Sequence, residues 1–347
     1  MAQRVHFHSG MFSESTGYGR DGIGMARALV RRGYEVSLES SWIMPPLPQD
    51  VALLLTIEPS PPFDLYISHA PPMQFGVPAP YSESIYKSVA WTMWEFSDLA
   101  PGMHDQVIHN MKAFDHVIVN DTDTLAVFEK LDPDRKFPIV QGGYEPDLWE
   151  VDHGSERDWD ADTFIVGIAG EMSGRKDPYV AMRAVQRLAD EGYNIELQVK
   201  CRYNEVPKAV MERYKAVKVF HGYWPQEQMR KFYSSLHCYV APSWGEGLNL
   251  PAIESGTTGA ALLVSDVGGH RGWAMGGEVA TLLPVERGRV QDDMWHAKVI
   301  EDALVEELRK LADDRSYAKV RGEKAARMLP PMMSWDQAIS RMLDVIQ

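Results

Sequence analysis

The chain has only two cysteines, Cys201 and Cys238, among 347 residues. That is too few for a disulfide framework or a cysteine-built metal cluster. No apolar run approaches the roughly 18 residues that a membrane-spanning helix needs; one of the longest contains Val51-Ala52-Leu53-Leu54-Leu55 and is strand-sized. The start, Met1-Ala2-Gln3-Arg4, leads straight into a strand pattern without the features of a signal peptide, so a cytoplasmic location is expected. No internal repeat and no low-complexity tract is present. Positive charge is scarce: 35 Lys and Arg face 49 Asp and Glu, for a net charge of −14. The deficit lies mostly in residues 1–150, with 10 basic and 20 acidic side chains, against 25 and 29 in residues 151–347. A broad polyanion-binding face is therefore not expected, and a nucleic acid is a minority choice of partner.

The length suits two domains, and the order of elements suits an α/β architecture. Val5-His6-Phe7-His8 reads as a strand, and Ile23, Ala26, Leu29 and Val30 recur at helical spacing. Gly33 reads as the helix C-cap, and Tyr34-Glu35-Val36-Ser37-Leu38 as a second strand, which together make a βαβ opening. Asp64 to His69 and Ser88 to Phe96 read as further strands. Ligands bind beyond the C-terminal ends of strands in such sheets, which makes His69 a candidate for ligand contact, and the strand ending near Trp94 and Glu95 has an aromatic, acidic tip. An acidic, polar stretch from Asp152 to Asp162 reads as the linker. Phe164 to Ala169 and Ile195 to Lys200 open a second set of strands, with Lys200 at a strand tip. Leu304, Leu308 and Leu311 mark one helix face, and Ser334-Trp335-Asp336 reads as the cap of a last helix running to Ile346.

The organising stretch is Ser243-Trp244-Gly245-Glu246-Gly247-Leu248-Asn249-Leu250-Pro251-Ala252-Ile253-Glu254-Ser255-Gly256. It follows a strand, turns at glycines and starts a helix near Leu250. Glu246 at the turn and Glu254 about one helical turn in are acceptors suited to a polyhydroxyl ligand. Open helix N–H groups and small residues admit phosphate or sugar oxygens.

This string resembles the E-x7-E motif of the retaining glycosyltransferases of family 4, with Pro242 to Ser255 matching almost position by position. The resemblance implies a GT-B fold: two Rossmann-like parallel-sheet domains facing a central cleft. It divides the chain into an acceptor-side domain over residues 1–155, a nucleotide-sugar domain over 156–330, and a C-terminal helix over 331–347 that crosses back to the first domain. The activity implied is transfer of a sugar from a nucleotide-sugar donor, of UDP or GDP type, to an acceptor hydroxyl on a small compound or glycan. Retention of anomeric configuration and independence of metal are also implied, with no cofactor. Gly170 to Pro178 resembles the family's donor loop. Lys176 stands at its Lys, Glu171 stands where the family has Arg, and Arg175 is the substitute. By the same resemblance Glu254 holds the ribose, while Glu246 with the backbone of Gly247, Leu248 and Asn249 holds the sugar. Lys200 joins the donor set, Tyr223 or Trp224 stacks on the base, and Gly17 and Gly19 face the donor from the first domain. The family's catalytic His has no counterpart, since Trp94 and Glu95 occupy that region; the resemblance then implies Glu95 for binding donor or acceptor hydroxyls, Trp91 or Trp94 for stacking on a sugar, and His69 as a further acceptor candidate. His270-Arg271 stands where relatives often have Pro-Glu.

Other readings stay open. Asp121-Thr122-Asp123 spells the D-x-D of the metal-dependent GT-A fold, although it reads equally as a helix N-cap. Gly17, Gly19 and Gly22 with Glu39 spell a dinucleotide fingerprint, as in an NAD-binding oxidoreductase, but Gly10 to Thr16 separate it from the strand. A protein that binds a nucleotide-sugar without catalysis is the third alternative.

Overall fold

The structure, a computed structural model, describes residues 3–149, 157–203, 206–291 and 294–347. The linker read at Asp152 to Asp162 lies partly outside them. The chain divides into two compact units, one holding the residues up to Glu145 together with Met333–Gln347, the other beginning at Pro146 and running to Met332 apart from a short excursion.

The first unit is built on β1 (Arg4–Ser9), β2 (Glu35–Ser40), β3 (Leu65–His69), β4 (Ser88–Thr92) and β5 (His116–Val119), all parallel, in the order β2-β1-β3-β4-β5. Every residue of β3 and β4 is buried, as expected where a parallel sheet is covered on both faces. The register sets Ser9 beside His69 and His69 beside Trp91 at the C-terminal edge. The first helix, Gly17–Arg31, starts where the Thr16 hydroxyl accepts from the Gly19 N–H at 3.1 Å. Ile23, Ala26 and Leu29 are buried, but Val30 is 44% exposed. One residue past Leu29 is about 100° further round the helix, which carries Val30 off the apolar face.

The C-terminal helix Trp335–Val345 belongs to this unit. Ser334 caps it by accepting from the Gln337 N–H. Trp335 is buried, edge-on to Trp91 with centroids 5.9 Å apart. Gly24 makes room for it: a Cβ there would lie 2.1 Å from Trp335 Cδ1.

The second unit is built on β6 (Phe164–Ala169), β7 (Ile195–Lys200), β8 (Val217–Phe220), β9 (Cys238–Ala241), β10 (Ala261–Ser265) and β11 (Thr281–Leu283), parallel, in the order β11-β10-β9-β6-β7-β8. The helix Pro178–Asp190 buries Val180, Ala181, Ala184, Val185 and Leu188. The helix Glu301–Asp313 buries Leu304, Leu308 and Leu311, the face read from the sequence. β12 (Val285–Gln291) and β13 (Met294–Val299), not read as strands in the sequence, pair as a separate two-stranded sheet. Two parallel sheets in two units are what the GT-B reading expects, and they differ from the single domain of a GT-A fold. No helix among the described residues is long and apolar enough to cross a membrane.

Candidate functional site

The motif of the second unit sits just past the C-terminal end of β9. Asn249 fixes its shape. It adopts φ +69°, the left-handed region that Asn tolerates better than most residues, and it is the N-cap of the helix Leu250–Thr257. Its Oδ1 accepts from the Ala252 N–H, and its Nδ2 faces both Glu246 Oε1 at 3.3 Å and His270 Nε2 at 3.0 Å. The sequence reading used only the Asn249 backbone; the side chain ties the two halves of the motif together.

His270, noted in the sequence only as a departure, is fully buried. Its Nδ1–H donates to the Ser265 carbonyl at 2.9 Å, which leaves Nε2 to accept from Asn249. That pattern needs a neutral ring, and burial indeed pushes its pKa down to about 4. The preceding glycine lets the loop close on the motif: Gly269 N–H donates to the Glu246 carbonyl at 3.1 Å, and a Cβ at Gly269 would lie 2.2 Å from that same oxygen.

Glu246 is 4% exposed and meets two cations. Lys176 Nζ donates to Oε1 in a close contact, and Arg175 Nη1 lies 3.3 Å from Oε2 while donating to the Gly245 carbonyl at 2.6 Å. Burial works to raise the Glu246 pKa, but the charges of Lys176 and then Arg175 outweigh it and hold the carboxylate well below its usual range. Lys176 and Arg175 side chains keep 16% and 19% exposure, and they immediately precede the helix Pro178–Asp190. Cations beside a helix N-terminus at the C-terminal edge of a parallel sheet form an anion-accepting arrangement. Glu171, at the family's Arg position, is exposed.

Glu254 lies one turn into its helix and is fully buried. Gly247 and Leu248 form the buried turn, with the Leu248 carbonyl accepting from Trp273 Nε1 at 2.9 Å. Lys200 is 5% exposed; its Nζ donates to the Gly222 and Cys201 carbonyls and lies 4.8 Å from the Trp224 ring centroid. It thereby fastens the loop that carries the aromatic pair. Trp224 packs on Phe220 and Phe232, whereas Tyr223 is 59% exposed. Of the two, Tyr223 is the ring turned towards solvent.

In the first unit, Gly17 and Gly19 separate. A Cβ at Gly19 would meet Ser13 atoms at 2.5 Å, whereas one at Gly17 would meet nothing within 4 Å. Gly19→Ala is therefore expected to lower the free energy of unfolding measurably and Gly17→Ala to leave it within about 0.5 kcal/mol, as a urea titration of each would read. His69, at the end of β3, is buried, with its ring 5.3 Å from Tyr18. Its Nδ1 has no hydrogen-bond partner among the described residues, and burial pushes its pKa down to about 3.

Trp91 is a core residue rather than a sugar platform: it is 1% exposed, and its Nε1–H donates to the Val140 carbonyl at 3.0 Å. Trp94 lies beyond the strand end, partly buried, with Nε1–H donating to the Asp98 carbonyl and its ring against Phe96. Glu95 beside it is partly buried, close enough that its charge helps burial raise the Tyr18 pKa. Tyr18 itself, whose hydroxyl donates to the Met93 carbonyl, escaped the sequence reading, as did Asp21 one turn on. Asp21 is 2% exposed, and burial raises its pKa to about 8. Asp121 caps the helix Thr122–Leu131, accepting from the N–H groups of Asp123 and Thr124 and from the Thr124 hydroxyl. Its N-cap use accounts for the D-x-D string.

Three buried histidines give a pH signature. His237 Nδ1 accepts from the Ile165 N–H and its Nε2–H donates to the Asp158 carbonyl; burial lowers its pKa to about 4. With His69 and His270, these folded values lie below the ordinary value near 6.5. The stability tied to their neutral forms is complete above about pH 6.5 and is lost as pH falls towards 4, because the unfolded chain takes protons that the folded one refuses. Each contributes a slope of up to about 1.4 kcal/mol per pH unit in that window. Asp21, whose buried carboxyl keeps its proton up to about pH 8, opposes one of the three over the same range. Urea midpoints are therefore expected to fall moderately from pH 6.5 to 5, and more steeply in Asp21→Asn; the same profile in both would contradict the assignment.

Comparison with known proteins agrees with this geometry. Residues 163–312 match the family model described as "Glycosyl transferases group 1". No curated protein sequence matches the chain. Among solved structures, a glycosyltransferase from Rickettsia africae ESF-5 superposes with a TM-score of 0.71 at 12% identity, covering 99% of this chain and 98% of that one. Sucrose-phosphate synthase from Thermosynechococcus elongatus gives 0.69 at 14% identity over 99% and 98%. WaaG, a glycosyltransferase involved in lipopolysaccharide biosynthesis, gives 0.64 at 14% identity over 99% of both chains. The chain has the GT-B fold throughout, and across residues 163–312 it resembles the group 1 glycosyl transferases.

Proposed function

We propose that this protein transfers a sugar from a nucleotide-sugar to an acceptor hydroxyl. The match of residues 163–312 supports glycosyl transfer as the reaction class. The observation that carries the finer reading is the cluster of Lys176, Arg175 and Glu246 in front of a helix N-terminus. A departing nucleoside diphosphate gathers negative charge on its outer phosphate. Lys176, Arg175 and the open N–H groups of the helix Pro178–Asp190 stabilise that charge without requiring a metal. Glu246, held ionised by the same cations, accepts hydrogen bonds from sugar hydroxyls, and Glu254 accepts from the ribose. The acceptor proton passes to the departing phosphate oxygen, so the reaction retains anomeric configuration and asks no side chain to act as base. UDP- and GDP-sugars are the favoured donors. Thermal shift against UDP-, GDP-, ADP- and dTDP-sugars and NAD(H), with and without EDTA, tests this reading. Stabilisation by one nucleotide-sugar that persists in EDTA and is lost in Glu254→Ala is the expected result. Stabilisation by NAD(H) alone, or only with a divalent metal, would overturn it.

A further inference from the structure

Trp244 is the least expected residue of the motif, because nothing in the glycosyl-transfer reading calls for a large ring two positions before Glu246. Its surroundings explain it. The Trp244 N–H donates to the Arg175 carbonyl at 2.8 Å, and its Nε1–H donates to Asp177 Oδ2 at 3.0 Å. Trp244 therefore grips the residues on either side of Lys176. From the other direction β13 grips Trp244. The Ala297 N–H donates to the Trp244 carbonyl at 3.3 Å, and the His296 ring stacks on the indole with centroids 4.4 Å apart and planes 24° apart. Lys298 Nζ lies 5.1 Å from the same ring centroid, within cation–π range. β12 yields space for this stack at Gly288, where a Cβ would lie 2.7 Å from His296 Nε2.

The gripped segment is one that would not hold its shape unaided. Asp177 has φ +40° and ψ +55°, a left-handed conformation that residues other than Gly, Asn and Asp seldom adopt. It is also the N-cap of the helix Pro178–Asp190, yet its side chain makes no capping hydrogen bond there, being turned to the indole instead. The Asp177 carboxylate is thus tied to Trp244 rather than to the helix end. That exchange makes sense where the position of the preceding Arg175 and Lys176 matters more than the stability of the helix end.

We propose that Trp244, clamped between Asp177 and the β12–β13 sheet, is a positioning residue that sets Arg175 and Lys176 for the diphosphate of the nucleotide. This rests on the nucleotide-sugar reading above. The two-stranded sheet is then a brace for the phosphate end of the donor site, acting through Trp244 without itself touching ligand.

The test separates diphosphate recognition from general folding. UDP, GDP, ADP and dTDP are titrated by calorimetry, and the tightest binder is compared with its own monophosphate. The variants are Trp244→Phe, which keeps the stack on His296 but lacks the N–H, Asp177→Gly, which keeps the left-handed backbone but lacks the acceptor, and Asp177→Asn, which keeps both. Trp244→Phe and Asp177→Gly are expected to weaken the diphosphate about tenfold, the effect of one well-placed hydrogen bond, with the monophosphate changed less than about twofold on the same scale. Asp177→Asn is expected to bind both like the wild type. Equal losses for diphosphate and monophosphate, or no loss for either, would overturn the positioning role while leaving the nucleotide-sugar reading intact. A wild-type protein that binds none of the four diphosphates would overturn that reading and this inference with it.

Discussion

Lys176→Ala is expected to lower kcat/KM for the nucleotide-sugar by about 100- to 1000-fold, the range seen when a preorganised group facing developing charge is removed. In the structure Lys176 Nζ and Arg175 Nη1 occupy the two oxygens of the buried Glu246 carboxylate. Removal of Lys176 takes one of two cations from the place where charge develops on the leaving phosphate. It does not strand Glu246, because Arg175 and Asn249 Nδ2 still face its oxygens. The variant is therefore expected to fold, with a modest fall in melting temperature. Most of the loss belongs in kcat, since the interaction strengthens as the bond to the sugar breaks. A loss confined to KM would mean that Lys176 serves only to bind the ground state.

Trp335→Ala is the variant with the largest expected effect on stability, about 3–5 kcal/mol as for other fully buried aromatic truncations. Trp335 is 1% exposed and shares a core with Trp91, Ile23, Ala26, Leu29 and Ile339. It sits against Gly24, where an added methyl would lie 2.1 Å from Cδ1 and 2.2 Å from Nε1. Gly24→Ala alone would gain up to about 1 kcal/mol in an exposed helix, but here overpacking is expected to reverse the sign, at a cost of about 1–3 kcal/mol. In the double variant the truncated Trp335 leaves room for the methyl, so the Gly24→Ala cost is expected to vanish. A double-mutant cycle in urea with a coupling energy near zero would contradict the packing described here.

The elements that could be read from the sequence were those with strong local signals. The helix Gly17–Arg31 carries a Thr cap and an apolar face, the helix Glu301–Asp313 carries three leucines on one face, and Ser334 caps the last helix. The turn and helix of the motif were likewise legible, because Gly, Asn and Pro at fixed offsets dictate a strand–turn–helix connection. What escaped depended on distant contacts. Trp91 and Trp94 look alike in the sequence, yet Trp91 lies within β4 and faces the core while Trp94 follows the strand end. The two-stranded sheet escaped because β12 holds Glu286, Arg287 and Gly288, a charged, glycine-broken run that reads as a loop. His270 gained its meaning only from Asn249, 21 residues away in the chain. Asp21 lies inside a glycine-rich run whose fingerprint drew attention to its glycines, and only burial reveals that its carboxyl is kept from ionising at neutral pH.

The central claim, that this fold breaks the bond between a sugar and a nucleoside diphosphate, is tested most directly by phosphorus NMR. The purified protein is incubated with the stabilising nucleotide-sugar in excess EDTA, with and without a panel of hydroxyl acceptors. The account predicts slow release of nucleoside diphosphate without acceptor, faster release with the right acceptor, and no need for metal. No release from any nucleotide-sugar, or release only when a divalent metal is restored, would contradict it.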